Sequence, residues 1–189
     1  ISGSVSIYVL LAILVAGLWP FNFFPKNQVG WLADRDGVHF HGQGIITGPV
    51  IDQKQWHKMF PDRAITIEIR LRPELETAAA PCIVTLFDGK TPDLFTVRQW
   101  RSHIVVWSRA ENPADRKRNA PFQEIGYRDA LPKGQEVFVA IASDRSGTAI
   151  YLNDQPAKAF PRRSLLADTP SGDTRLILAN SPSGESFWT

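Results

Sequence analysis

This sequence is short of the residues that most often declare a function. It has one cysteine and one methionine among 189 residues. A lone Cys82 excludes an internal disulfide, and its place in the run Cys82-Ile83-Val84 reads as a small core residue. Charge is short too: Lys+Arg 21 against Asp+Glu 19 leaves a net charge of +2, so bulk electrostatics give no argument for nucleic acid. Paired carboxylates able to cut a glycosidic bond from one strand face are not found. Glu68 stands alone among Thr66, Arg70 and Arg72, as a solvated strand residue would, and the chain is expected not to be an enzyme. No cofactor is implied. His39 and His41 share a strand face, but no cysteine or acidic cluster beside them completes a metal site, so a solvated pair is expected.

The most telling absence is at the start. Residues 1–25 contain no charged side chain, and Ile7-Tyr8-Val9-Leu10-Leu11-Ala12-Ile13-Leu14-Val15-Ala16-Gly17-Leu18-Trp19 is apolar on every side. A helix buried on one side shows polar residues every three or four positions; this one asks for an apolar surround on all faces. Residues 5–24 match the roughly 20 residues that cross a bilayer core. Tyr8 near one end and Trp19, Phe21, Phe23 and Phe24 at the other suit the two membrane interfaces. Pro20 and Pro25 stop the helix. A signal peptide would have a basic start and a small-residue cleavage site, and neither is present. The expectation is a single-pass transmembrane helix with an aromatic exit over 1–25, followed by one soluble domain over 26–189. Ala12 and Ala16 lie four apart beside Gly17, a small-residue stripe on which helices pack in membranes.

Beyond residue 26 the pattern changes to short apolar runs broken by turns. Residues 64–72 alternate cleanly, with Ile65, Ile67, Ile69 and Leu71 on one face. Further strands are predicted over 82–87, 94–100, 103–109, 136–143, 148–153 and 175–179. Arg101-Ser102 and Asp144-Arg145-Ser146-Gly147 are hairpin turns. The polar stretch 110–121 reads as a loop. The fold class is mainly β: two antiparallel sheets packed face to face behind one N-terminal helix.

Several of these pieces resemble concanavalin A-like, laminin-G-like domains. The carriers are Gly37-Val-His-Phe-His-Gly42, Ala64-Ile-Thr-Ile-Glu-Ile-Arg-Leu-Arg-Pro73, Ile83-Val-Thr-Leu-Phe-Asp-Gly89, the hairpin of Glu136 to Asp144 and Gly147 to Asp154, and Arg175-Leu-Ile-Leu-Ala-Asn180. The resemblance implies a jelly-roll-like sandwich outside the cytoplasm, in the periplasm of a Gram-negative source. A positive-inside count of Lys26 and Arg35 pulls the other way. Such domains run on past a segment like Ser181-Pro-Ser-Gly-Glu-Ser-Phe-Trp188 into another strand, so the expectation is that either the protein continues past Thr189 or a sheet edge stands open. The exit Trp19-Pro20-Phe21-Asn22-Phe23 also resembles the end of the last helix in VanZ-like membrane proteins.

Candidate contacts follow. Asp88 and Asp93 flank a loop at the rim where laminin-G-like domains bind calcium, but calcium takes six or more oxygens, and a turn-forming role suits Asp88 better. Arg116-Lys117-Arg118 is a basic patch able to touch headgroups or an acidic partner, with a solvated loop as the default. Among Trp56, Trp100, Trp107 and Trp188, core or sheet-packing roles are expected for most. Trp100 alternates with Thr96 and Arg98 and is expected to face out, as a partner contact. The expected function is a non-catalytic accessory or structural subunit, docked to other subunits of a respiratory, photosynthetic or other membrane complex. The alternative is an envelope carbohydrate-binding, lectin-like module that takes a glycan.

Overall fold

The structure, a computed structural model, describes residues 2–18, 26–90, 93–109, 122–166 and 170–189. Among these, two antiparallel sheets enclose one core. The larger has six strands in the order β3-β12-β5-β6-β7-β8. These are β3 (Ile46–Ile51), β12 (Thr174–Leu178), β5 (Cys82–Phe87), β6 (Phe95–Trp100), β7 (His103–Arg109) and β8 (Phe122–Tyr127). The smaller has four, β11-β10-β9-β4: β11 (Gln155–Pro161), β10 (Gly147–Leu152), β9 (Val137–Ser143) and β4 (Ile65–Leu71). A separate hairpin joins β1 (Val29–Trp31) and β2 (Val38–Phe40).

Period-two alternation sets the inner faces. Val137, Val139 and Ile141 of β9 meet Val84, Leu86, Phe95, Val97, Ile104 and Val106 across the interior, all buried. Cys82 is fully buried and free, as expected of a small core residue. One end of the core is closed by the short helix α2 (Gln53–Met59). Asp52 caps it: its carboxylate accepts from Gln55 N at 2.7 Å, and the Gln55 side chain accepts from Asp52 N at 3.1 Å. The cap aims Trp56 inward, where it is 1% exposed and packs on Phe60.

Turn chemistry holds the β9–β10 register. The Asp144 carboxylate accepts from Ser146 Oγ at 2.6 Å and from the Ser146 and Gly147 N–H groups, which together hold its pKa below the ordinary value. Gly147 at φ +152 lies against the Phe160 carbonyl, where a Cβ would approach to 2.5 Å; only glycine fits.

Helix α1 (Ser2–Leu18) is 17 residues long. At about 1.5 Å per residue it spans about 26 Å, short of the roughly 30 Å hydrocarbon core. Among the described residues no helix is long and apolar enough to cross a membrane. The span expected over 5–24 runs into residues 19–25, so Trp19, Phe21, Phe23 and Phe24 lie outside the described residues. What is described of α1 is uncovered: every side chain from Val5 to Val15, Tyr8 and Ala12 included, is exposed. Gly17 has no neighbour within 4 Å of where a Cβ would stand.

Candidate functional site

The outer face of the six-stranded sheet carries the chemistry. The register pairs Thr96 with Trp107 and Trp107 with Glu124, Arg98 with Val105, and Trp100 with His103. Ile104, Val106 and Ser108 are buried on the inner side, so these partners all face out. Three zones run along this face.

At one rim, Asp88 is held by Arg109. The guanidinium donates Nη1 to one carboxylate oxygen at 2.9 Å and Nη2 to the other at 2.7 Å, and Ser171 N adds a bond at 2.6 Å. Burial pushes the Asp88 carboxyl up. Arg109, with the Ser171 and Lys90 N–H groups, outweighs that and leaves its pKa below the ordinary value. Asp93 shares this rim; burial, helped by the Asp88 charge, raises its pKa against the pull of Arg98 and Arg109. The two calcium candidates therefore come together, but both Asp88 oxygens are committed to Arg109 and Ser171. Among the described residues no group of three or more His, Cys, Asp or Glu forms a metal cluster. His39 and His41 do stack, with ring centroids 3.8 Å apart, without a third ligand.

In the middle stands Trp107. Phe122 stacks on its ring at 4.9 Å, the Arg98 guanidinium lies 4.4 Å from its centroid, and its Nε1 donates to Glu124 at 2.7 Å. Arg98 is itself pinned, donating to the Ala80 carbonyl at 2.9 Å and to Thr96 Oγ1 at 3.1 Å. Trp107 is thus a clamped strut on the outer face, a sheet-packing role.

At the far end lies Trp100, at the tip of the β6–β7 hairpin. It is 42% exposed, as its alternation predicts. His103 meets the indole edge-on at 5.4 Å, and the Arg101 guanidinium stands 5.5 Å from the ring centroid. Arg101 holds φ +55 in the hairpin turn, fastened by its N–H to the Thr77 carbonyl at 2.7 Å. His103 Nδ1 faces the Asp129 N–H at 3.0 Å. That group can only donate, so Nδ1 accepts and the neutral ring carries its proton on Nε2. Ser102 Oγ donates to Asp129 Oδ1 at 2.8 Å, fixing the loop that holds the histidine. The result is an exposed aromatic surface edged by a guanidinium and an imidazole, with Asp129 holding the imidazole. Such a surface pairs with a ligand that has one apolar face and a fringe of hydroxyls. The sequence singled out Trp100 but not His103, which meets it across the hairpin register, nor Asp129, which a loop brings to His103.

The remaining tryptophans serve the interior. Trp56 is in the core, and Trp188 packs against it while donating Nε1 to Gln99 Oε1 at 2.6 Å. Glu68 is exposed, as expected. The basic run Arg116, Lys117 and Arg118 lies outside the described residues, as does the side chain of Ala16.

No known family profile matches the chain, and no curated protein does. Solved structures do. The carbohydrate-binding module CBM40 of a Ruminococcus gnavus sialidase, bound to α2,3-sialyllactose, superposes with a TM-score of 0.53 at 11% identity, covering 75% of this chain and 78% of that one. Domain 4 of AbnA, an extracellular arabinanase of Geobacillus stearothermophilus in complex with arabinotriose, superposes with a TM-score of 0.52 at 14% identity, covering 88% and 69%. At such identities the likeness concerns the fold. The chain is similar in architecture to these β-sandwich modules.

Proposed function

We propose that the chain is a non-catalytic, lectin-like glycan-binding module, of the laminin-G-like kind its motifs resemble, carried at a membrane by its N-terminal helix. The observation that carries this is the exposed Trp100 ring, edged by Arg101 and by His103, which Asp129 holds, on an outer sheet face. An apolar sugar face lies on the indole, and the guanidinium and imidazole N–H groups donate to ring hydroxyls. Support comes from the architecture, which the sialyllactose-bound and arabinotriose-bound modules share. The test is a glycan array probed with residues 26–189 beside the Trp100→Ala variant. Saturable binding of an oligosaccharide, competed by the free sugar and lost in the variant, supports the reading. An array blank for both proteins refutes it.

A second reading, an accessory subunit docked to a membrane assembly, is favoured by one observation. The uncharged helix α1 exposes its side chains on every described side. An apolar cylinder of that kind calls for lipid or another helix around it. Flotation with vesicles tests attachment: the full chain rises with lipid and residues 26–189 stay below. Co-purification of a stoichiometric complex in mild detergent, weakened by Ala12→Leu with Ala16→Leu, is the result this second reading requires.

A further inference from the structure

Strand β4 is an edge of the four-stranded sheet. It pairs with β9 along its whole length, and among the described residues nothing pairs with its other side. The interior notices the vacancy. Ile67 and Ile69 sit beside Ile141 and Val139 in register, yet Ile141 and Val139 are 0% exposed while Ile65, Ile67 and Ile69 remain half-buried. Of the inward positions of β4, Ile69 and Leu71, but not Ile65 or Ile67, line a cavity of about 570 Å³. It is walled by Leu32, Val38, Phe40, Ile83, Leu178 and Trp188, with the β1–β2 hairpin opposite β4.

Three features define what fits there. Free backbone N–H and C=O groups along an edge are satisfied in register only by another extended backbone. Half-covered isoleucines at every second position ask for apolar side chains at the same spacing. On the outward face, Arg70 is already taken by Glu136, which also binds Arg35 (3.2 and 2.9 Å). Glu68 is exposed, and among the described residues no ion pair engages it. An opposite charge directly across the strand pair suits it best.

We propose that this groove receives a β-strand from a partner polypeptide, apolar at alternate positions, with a lysine or arginine facing Glu68. The inference stands apart from the glycan reading, since no residue of the Trp100 site lines the groove.

The experiment uses the full chain in detergent micelles and the probe peptide acetyl-Thr-Val-Thr-Val-Lys-Val-Thr-Val-Thr-amide. Amide hydrogen exchange is read residue by residue. The expected result is exchange slowed about tenfold or more at alternate β4 amides, those that point away from β9. A peptide N-methylated at its edge-facing amides has no such effect. Glu68→Lys, an exposed change that leaves the fold alone, weakens the lysine peptide by about threefold and favours its glutamate counterpart by a similar factor. The proposal is overturned if β4 exchange is unmoved by the peptide, or if the N-methylated peptide protects equally. It is also overturned if β4 is protected in the protein alone in a concentration-dependent way, because the occupant is then a second copy.

Discussion

Removing the Asp88 carboxylate is expected to be among the most damaging changes in the sandwich. Its side chain is 0% exposed and accepts both Arg109 nitrogens and the Ser171 N–H. Asp88→Ala takes away the carboxylate that neutralises a guanidinium only 21% exposed, and frees the segment that leads into β12. Breaking one side of a buried pair costs about 3–5 kcal/mol. For a domain of this size each kcal/mol moves Tm by about 2–4 °C, so a fall of roughly 6–20 °C is expected. The double variant Asp88→Leu with Arg109→Met replaces the pair by apolar groups, and it is expected to lose less than the two single changes added together. The acid response follows from the lowered Asp88 pKa. The folded state binds that proton less readily than the unfolded state, so the pair stabilises fully above the ordinary value of 3.8 and stops stabilising as pH falls through the lowered one. Guanidinium titrations followed by tryptophan fluorescence measure all of this. A loss below about 0.5 kcal/mol for Asp88→Ala, the range of an ordinary surface change, refutes the buried pair.

Asp93 beside it runs the other way: its pKa is raised, so its charge opposes folding at neutral pH. Asp93→Asn is expected to raise the denaturation midpoint at pH 7, with the gain gone by about pH 3, where the wild-type carboxyl is protonated. Trp56→Ala empties the site of a side chain 1% exposed and is expected to cost about 3–5 kcal/mol in the same titration. Gly147→Ala drives a Cβ to 2.5 Å from the Phe160 carbonyl, while Gly89→Ala, at φ +82, meets nothing within 4 Å. Thermal melts are expected to rank the first well below the second, whose cost is the left-handed backbone alone, about 1–2 kcal/mol.

The strands legible in the sequence are those with one wet face or an unbroken apolar run. β4 was marked by its four isoleucine and leucine positions, and β5 and β7 coincide with the predicted 82–87 and 103–109. Strand β11 was not legible: Pro156, Lys158 and Pro161 break its pattern, because it is an edge strand, mostly exposed, that owes its form to pairing with β10. Strand β8 mixes Gln123, Glu124 and Gly126 with only Ile125 buried, and takes its place from β7. Helix α2 is too short for a helical period to register. The site divides likewise. Alternation along β6 turned Trp100 outward, but the partners of Trp100 are set across strands and through a loop. The clamp on Trp107 needs Arg98 from one neighbouring strand and Phe122 from the other, a juxtaposition that no local pattern encodes. Asp88 reads as a turn former until Arg109 arrives from β7.

The central claim is that a glycan lies on the Trp100 ring, and its most direct measurement is a titration of isotope-labelled residues 26–189 with the oligosaccharide that binds best on the array. The account predicts that the Trp100 indole N–H and the His103 ring signals shift first and saturably, and that those of the clamped Trp107 and the buried Trp56 stay in place. It also predicts that Trp100→Ala weakens binding by about tenfold or more while the rest of the spectrum is preserved. Saturable binding that leaves the Trp100 and His103 signals unmoved, or that survives Trp100→Ala at full affinity, contradicts it.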